Sequence, residues 1–303
     1  MTTLYSKVLT NVAQGEMLRA LSRIDTFILE TEGVIYGGNK LFPLSKQTVS
    51  ALEQLGKNII YYPSYTRRSR LSYQKKLHDF GITTSVNQIY TPSSMTAEYM
   101  RRFHPEIKKV YLVGGVWAAE ELKQAGIKVL EVGDFKEHSN ESSKLLEKIN
   151  SDKDVGAVVV SFDEAFTFQK LTLSALLLER PDIMFIVTSL EPYSIVDGKK
   201  YPGVSPLIAS ISKVSGRKPD LVTCRPNPIM FHMLKENYPE IDPHRTCMVG
   251  DSITKDLKFA NNSGILSMLT LSGITMPQQL EHVLSQNVDF VIHDFSRIYQ
   301  ILN

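Results

Sequence analysis

The chain has little of what would mark a specialised class. It holds two cysteines in 303 residues, Cys224 and Cys247, whose spacing matches no disulfide framework and no thiolate metal site. Each therefore reads as a small buried apolar residue in a reducing compartment. Neither sign of charge is in excess: Lys plus Arg number 34 against 32 for Asp plus Glu, a net of +2, which removes nucleic acid and anionic membrane as default partners. No apolar run approaches the roughly 18 residues of a bilayer-spanning helix, and the longest, 156–162 and 183–190, have the length of buried strands. Internal repeats and low-complexity tracts are also missing. What is present, 43% hydrophobic and 22% charged residues, is the composition of a globular chain with room for one large domain or two moderate ones.

The first fifteen residues carry one lysine and no acid, with Leu4, Tyr5, Val8, Leu9 and Val12 in helical spacing. An amphipathic start of this kind is faintly like a mitochondrial presequence. It favours a mitochondrial location, with the cytoplasm as the alternative.

Short β-rich runs alternate with helical patterns along the chain. Strands are predicted over 24–29, 58–62, 109–113, 128–131, 157–161, 184–188, 220–223, 246–249 and 265–271. Helices are predicted over 45–55, 69–80, 117–124, 142–149, 166–178, 206–215, 229–237 and 253–260. This alternation implies right-handed βαβ units and a parallel sheet, hence an α/β fold with a doubly wound core and an inserted α/β domain. The expected seams lie near 103 and 204. They give a first part of the core over 1–102 with an N-terminal helix, an insertion over 103–204, and a second part of the core over 205–303.

Ligands of doubly wound sheets bind beyond the carboxyl ends of the strands, which singles out four segments. They are Glu30-Thr31-Glu32-Gly33, Pro63-Ser64-Tyr65-Thr66, Arg225-Pro226-Asn227-Pro228, and the run from Gly250-Asp251 to Asp256. Two carboxylates two apart on one turn and two more five apart on another are suited to a hard cation such as Mg²⁺. The plainer reading of any one of these acids is a helix or loop cap. For Asp251 and Asp256 both readings stay open. Gly114-Gly115 lacks a third glycine at dinucleotide spacing and reads as a tight turn.

Taken in order, the four segments resemble the haloacid dehalogenase-like phosphatases, in the branch of p-nitrophenylphosphatase, phosphoglycolate phosphatase and pyridoxal phosphatase that carries a C2-type cap. The likeness runs from about Met17 to the end of the last strand, and linking segments such as Ile24-Asp25-Thr26-Phe27 and Ile241-Asp242-Pro243 share it. It implies an inserted C2-type cap over 103–204. It also implies an acyl-phosphate mechanism in which the first acid of Asp-x-Asp-Gly attacks phosphorus and the second protonates the leaving group.

Glu30 and Glu32 stand at those two positions, Pro63 and Ser64 where a Thr or Ser hydroxyl normally clamps the phosphoryl group, and Arg225 in place of a lysine. Arg225 is also placed to pair with Glu30 or Glu32 and fill the cavity. Asp251 and Asp256 match the metal-holding acids, so residual Mg²⁺ binding is expected there, with Glu30 as a third ligand. No other cofactor is implied. In the cap, Thr188-Ser189-Leu190-Glu191 replaces a Thr-Asn-x-Asp pattern.

An added methylene on each carboxylate shifts it by more than an ångström, and a misplacement of about 1 Å costs roughly a hundredfold in rate. The sequence therefore points first to a catalytically inactive, phosphatase-like accessory subunit of a larger assembly. Its partners would be other protein subunits, in a homo- or heterodimer through the cap. The alternative is an active Mg²⁺-dependent phosphatase of a small phosphomonoester using glutamate chemistry. An intermediate reading is a sensor that binds phosphate without turnover.

Overall fold

The computed structural model describes residues 14–64, 67–130, 153–196, 199–279 and 287–303. The amphipathic segment before residue 14, Tyr65 and Thr66, the predicted helix over 142–149 and the Asp197-Gly198 turn lie outside the described residues.

In chain order the elements begin with α1 (Gln14–Arg23), β1 (Thr26–Leu29), the short pair β2 (Tyr36–Gly37) and β3 (Lys40–Leu41), α2 (Ser45–Gln54), β4 (Asn58–Tyr61) and α3 (Arg70–Asp79). There follow α4 (Pro92–Phe103), β5 (Lys109–Val113), α5 (Val116–Gln124), β6 (Lys128–Leu130), β7 (Val155–Val160), α6 (Phe168–Leu177) and β8 (Met184–Val187). Next come β9 (Tyr193–Val196), β10 (Lys199–Pro202), α7 (Ser205–Ser215), β11 (Leu221–Val222) and α8 (Ile229–Asn237). The chain closes with β12 (Thr246–Gly250), α9 (Lys258–Ser263), β13 (Leu266–Thr270), β14 (Phe290–Ile292) and α10 (Ser296–Leu302).

Two compact units emerge. The first comprises Met1–Ser64, Leu71–Tyr90 and Arg225–Asn303, and the second Tyr65–Arg70 and Thr91–Cys224. The first is built on a five-stranded sheet in the order β14-β13-β12-β1-β4, parallel at every pairing. All four residues of β1 are buried, as expected for a central strand of a sheet covered on both faces. On one face Phe27, Leu29, Ile59, Tyr61, Cys247 and Val249 pack with Val49 and Leu52 of α2, Leu77 of α3 and Ile298 of α10. Leu269 and Val291 project to the other face, against Ile253 and Leu257.

The second unit repeats the design with the parallel order β11-β8-β7-β5-β6. Strand alternation sorts its core into two layers. Tyr111, Val113, Val158, Val160, Phe185 and Val187 face Leu173 and Leu177 of α6 and Leu207 and Ile211 of α7. Val110, Leu112, Ala157, Val159 and Ile186 face Ala97 and Met100 of α4 and Ala118 and Leu122 of α5.

The seams differ from the expected 103 and 204. The second unit starts at Thr91, because α4 is one of the helices covering its sheet. That helix has its own start signal, a capping box of Thr91 and Ser94 followed by Pro92. The unit runs on to Cys224 because β11 pairs with β8, with Leu221 beside Ile186 and Val222 beside Val187. The predicted helix over 253–260 is a π turn at Ile253–Leu257 that leads into α9. The closing β14 and α10 lie beyond the last predicted element.

Candidate active site

Three neighbouring strands of the first unit, β4, β1 and β12, end at the same sheet edge. The ladder continues one step past β1, with the Glu30 N–H donating to the Val249 carbonyl at 2.9 Å and the Tyr62 N–H to the Leu29 carbonyl at 2.8 Å. This register sets Glu30 between Ser64, two residues past Tyr62, and Asp251, two residues past Val249. Right-handed crossovers bring these strand ends together across the sequence.

Glu30 is 2% exposed. Its Oε1 accepts from the Thr31 N–H at 2.7 Å, the Glu32 N–H at 3.3 Å and the Ser64 N–H at 3.3 Å. Its Oε2 accepts from the Ser64 hydroxyl at 2.5 Å and from the Arg225 guanidinium. Arg225 is itself buried, its other terminal nitrogen pairs with Asp256, and its plane lies 4.5 Å from the centre of the Tyr62 ring. Tyr62 is braced by an edge contact with Phe259 at 5.5 Å between ring centres. Burial opposes ionisation of Glu30, but Arg225 and the Ser64 hydroxyl outweigh it and hold the carboxyl below its usual range. Burial likewise opposes the charge on Arg225, and the carboxylates of Asp256 and Glu30 hold it protonated.

Asp256 performs the loop-capping role open to it from sequence. Its Oδ2 accepts from the N–H groups of Asp251 at 3.0 Å and Ser252 at 3.1 Å, while Oδ1 takes the Arg225 pair. Asp251 is less committed. Its Oδ2 accepts from the Ile274 N–H at 2.8 Å, and its Oδ1 has no hydrogen-bond partner among the described residues. The side chain fits only because glycine stands on either side. A Cβ on Gly33 would lie 2.2 Å from Asp251 Oδ2, and one on Gly273 would lie 1.8 Å from it. Gly33 also takes a positive φ of 85°, which a side chain would disfavour.

Among the described residues no three His, Cys, Asp or Glu side chains stand close enough to form a complete metal cage. Mg²⁺ does not require one, because it usually keeps several waters and takes one or two carboxylates. The local charge suits such an ion. Three buried carboxylates, Glu30, Asp251 and Asp256, act on one another, while the one guanidinium pairs with Glu30 and Asp256 and Lys255 acts at longer range. Burial first, then the charges of Asp256 and Glu30, push the Asp251 carboxyl up to about 7. Burial also raises that of Asp256 against the pull of Arg225. A divalent cation beside Asp251 would relieve this surplus, so the donor set fits the metal.

Of the residues singled out from sequence, Glu30, Ser64, Arg225 and Asp256 are joined by direct hydrogen bonds, and Asp251 adjoins them. The expected pairing of Arg225 with an acid is present, and the acid is Glu30. Glu32 is held elsewhere, its Oε1 accepting from the Gly38 N–H at 2.5 Å. Pro63 is buried in the loop between Tyr62 and Ser64, and it is Ser64 that supplies the hydroxyl. Sequence reasoning passed over Tyr62, Ile274 and Thr275. The last two fasten Asp251 from a loop 23 and 24 residues away, through the Ile274 amide and through Thr275, whose N–H and hydroxyl reach the Asp251 carbonyl at 3.1 and 2.5 Å. In the second unit, Asp163 pairs with Lys170 at 2.5 Å and Thr188 donates to the Ser161 hydroxyl at 2.9 Å. Arg67 stacks on Phe162 at 3.9 Å and Tyr201 at 4.8 Å, measured to the ring centres.

The chain is similar to known proteins over most of its length. A family model described as haloacid dehalogenase-like hydrolase matches residues 27–128, and one described as HAD-hydrolase-like matches 222–298. Phosphoglycolate phosphatase 1A of Arabidopsis thaliana is 31% identical over 86% of this chain and 72% of its own. The 4-nitrophenylphosphatase of Schizosaccharomyces pombe is 28% identical over 86% of this chain and 88% of its own. Among solved structures, 4-nitrophenylphosphatase from Thermotoga maritima superposes with a TM-score of 0.80 at 24% identity, covering 94% of this chain and 99% of that one. A glycerol phosphate phosphatase from Mycobacterium tuberculosis, solved in complex with magnesium, gives a TM-score of 0.76 at 17% identity over 92% and 77% of the two chains.

These relatives overturn the expectation of a catalytically inactive accessory subunit, and with it the leaning away from an enzyme. Proteins similar over most of the chain are phosphatases. The physical reason is that the substitutions at the two acids and the cation keep their functional groups, and the hydroxyl lost at Pro63 is supplied by the next residue. Glu30 and Glu32 are still carboxylates, Arg225 is still a cation, and Ser64 still brings a hydroxyl to the site.

Proposed function

The chain belongs to the haloacid dehalogenase-like hydrolases, alongside the phosphoglycolate phosphatases and 4-nitrophenylphosphatases, and on that premise we propose that it hydrolyses a small phosphomonoester with Mg²⁺ as cofactor. The observation that carries this reading is the single cluster at the carboxyl edge of the first sheet. There a buried, ionised Glu30 lies among donors suited to an oxyanion, beside the under-neutralised Asp251.

Glu30 is the attacking carboxylate in this reading. Its oxygen forms a bond to phosphorus as the ester P–O bond breaks, giving an acyl phosphate on Glu30 and an alcohol; to protonate that alcohol, Glu32 must be in its acid form and leave the Gly38 N–H that holds it. Water then attacks the phosphorus of that acyl phosphate, passing its proton to the Glu32 carboxylate, as the P–O bond to Glu30 breaks to release inorganic phosphate and return the Glu30 carboxylate. Arg225, Ser64 and the amides of Thr31 and Glu32 are the groups placed to offset charge on the transferring phosphoryl oxygens. Asp251, with Glu30, would hold Mg²⁺, which when bound supplies Lewis acidity toward those oxygens. Asp256 keeps the loop of Asp251 in shape and counterbalances Arg225.

The test is turnover of 4-nitrophenyl phosphate and 2-phosphoglycolate by the purified chain with Mg²⁺. The expected result is release of phosphate that requires Mg²⁺ and is lost in Asp251→Asn. No release from these two esters or from a panel of small sugar, glycerol and nucleoside monophosphates would overturn the reading.

A further inference from the structure

Six donors meet on the one Glu30 carboxylate: three main-chain N–H groups, the Thr31 and Ser64 hydroxyls and the Arg225 guanidinium. They come from three separate segments, the turn after β1, the loop after β4 and the residue before Pro226. Convergent backbone amides with a guanidinium form a concavity for small oxyanions, including phosphate. Here the occupant is the chain's own carboxylate. A glutamate arm that folds back on the amides of the two residues after it spends its lone pairs on the donors that an incoming oxyanion would need.

We propose that Glu30 is an internal competitor for this oxyanion cradle, so that a phosphate-bearing ligand binds only by displacing the Glu30 carboxylate. The inference deepens the phosphatase reading, on which it rests for the chemical class of the ligand. The electrostatics permit the exchange. Arg225 bonds Glu30 and Asp256 through different terminal nitrogens, so departure of Glu30 leaves the guanidinium with a counter-charge. An incoming phosphate would then satisfy the freed nitrogen, the Ser64 hydroxyl and the amides together. Displacement also prepares the chemistry, because a carboxylate that accepts six hydrogen bonds is a weak nucleophile until it leaves them.

The experiment is calorimetric titration of the full chain with inorganic phosphate, in chelator and at constant ionic strength, so that neither metal nor turnover enters. Wild type is compared with Glu30→Gln, which keeps the shape and removes the charge, and with Glu30→Gly, which empties the cradle. Both are expected to bind phosphate about tenfold or more tightly than wild type, the scale of one charge-assisted hydrogen bond recovered. Adding Ser64→Ala to Glu30→Gly is expected to remove much of the gain. Asp251→Asn controls for the loss of one negative charge and should gain far less. If Glu30→Gly fails to fold by its thermal melt, Glu30→Gln decides.

Phosphate affinity unchanged in the folded Glu30 variants, or raised equally by Asp251→Asn, overturns the proposal. These readouts are independent of wild-type turnover. A chain that hydrolyses phosphomonoesters while its Glu30 variants bind phosphate no better keeps the function and loses the competitor. A chain without turnover whose Glu30 variants gain phosphate binding does the reverse.

Discussion

Arg225 and Glu30, 195 positions apart in sequence, form an ion pair in which each side chain is only 3% exposed. The pair has little access to water, so the two charges depend on each other and on Asp256, Ser64 and the face of Tyr62. Such a pair contributes little net stability against an apolar replacement, yet breaking it leaves a charge stranded in a poor solvent.

Arg225→Met is therefore expected to cost about 3–5 kcal/mol, because Glu30 and Asp256 lose their common counter-charge. Arg225→Lys should recover only part, since a point charge cannot bridge both acids as a planar fork does. Chemical denaturation of the variants checks this. The double variant Glu30→Gln with Arg225→Met should be more stable than Arg225→Met alone. Additive losses would show that the two residues do not act as a pair.

Gly273→Ala is expected to disable the site while leaving most of the fold. The new methyl would fall 1.8 Å from Asp251 Oδ2, so the carboxylate must leave its bond to the Ile274 amide. The Mg²⁺ concentration for half-maximal turnover should rise by about tenfold or more, as for other losses of a group that orients a ligand. Measuring activity against Mg²⁺ concentration decides it. An unchanged profile would separate Asp251 from the metal.

Much of this arrangement is legible in the sequence. Short apolar runs with β-branched residues, such as those in β5, β7 and β12, alternate with helical patterns, and the turns that follow the strands hold the acids and Arg225. Even the pairing of Arg225 with an acid follows from both lying at strand ends. The missing parts have physical causes. Helix α4 begins with Pro92-Ser93-Ser94, which reads as loop, and its capping box uses Ser94 where Glu or Gln is the usual signal. Strand β14 spans only Phe290–Ile292, too short for a periodicity. Tyr62, Ile274 and Thr275 carry no motif, because they act through packing and backbone contacts that the fold alone creates. The added methylene of Glu30 weighs less than its length suggests, since the longer arm folds back onto the amides of Thr31 and Glu32, whereas the Glu32 arm turns to the Gly38 N–H.

The two cysteines are expected to resist thiol reagents in the folded chain. Cys247 is 0% and Cys224 8% exposed, and burial pushes the Cys247 thiol well above its ordinary range. Thiolate is the reactive form, so labelling by a disulfide reagent near pH 8 should be negligible for Cys247 and should reach both residues in denaturant. Rapid labelling of Cys247 in the native protein would mean that the strand β12 opens readily.

Acid should weaken the join between β1 and β12 slightly. Asp25 is hydrogen-bonded to Arg245, which holds its carboxyl below the usual range. A lowered folded pKa gives stability that is present above the unfolded value near 3.8 and is lost as pH falls through the folded value. Both side chains are about half exposed, at 47% and 53%, so screening keeps the effect small. Comparing Asp25→Asn with wild type between pH 6 and pH 3, in steps of about one unit, should show the small gap close toward the acid end. A gap that widens there would reverse the sign assigned to this pair.

Helix α4 belongs to the second unit's core, and that assignment has a measurable consequence. Met100 is 0% exposed and packs with Ala97, Val110, Leu112 and Ala118, while Thr96 and Thr223 share a hydroxyl hydrogen bond at 2.7 Å. Met100→Ala should cost about 2–5 kcal/mol through loss of apolar contact and the cavity left behind. Hydrogen exchange should show the loss in β5, β7 and β8 rather than in β1, β4 and β12. Were the seam at 103, the helix would belong to the first sheet's core and the protection of β1 and β4 would fall instead.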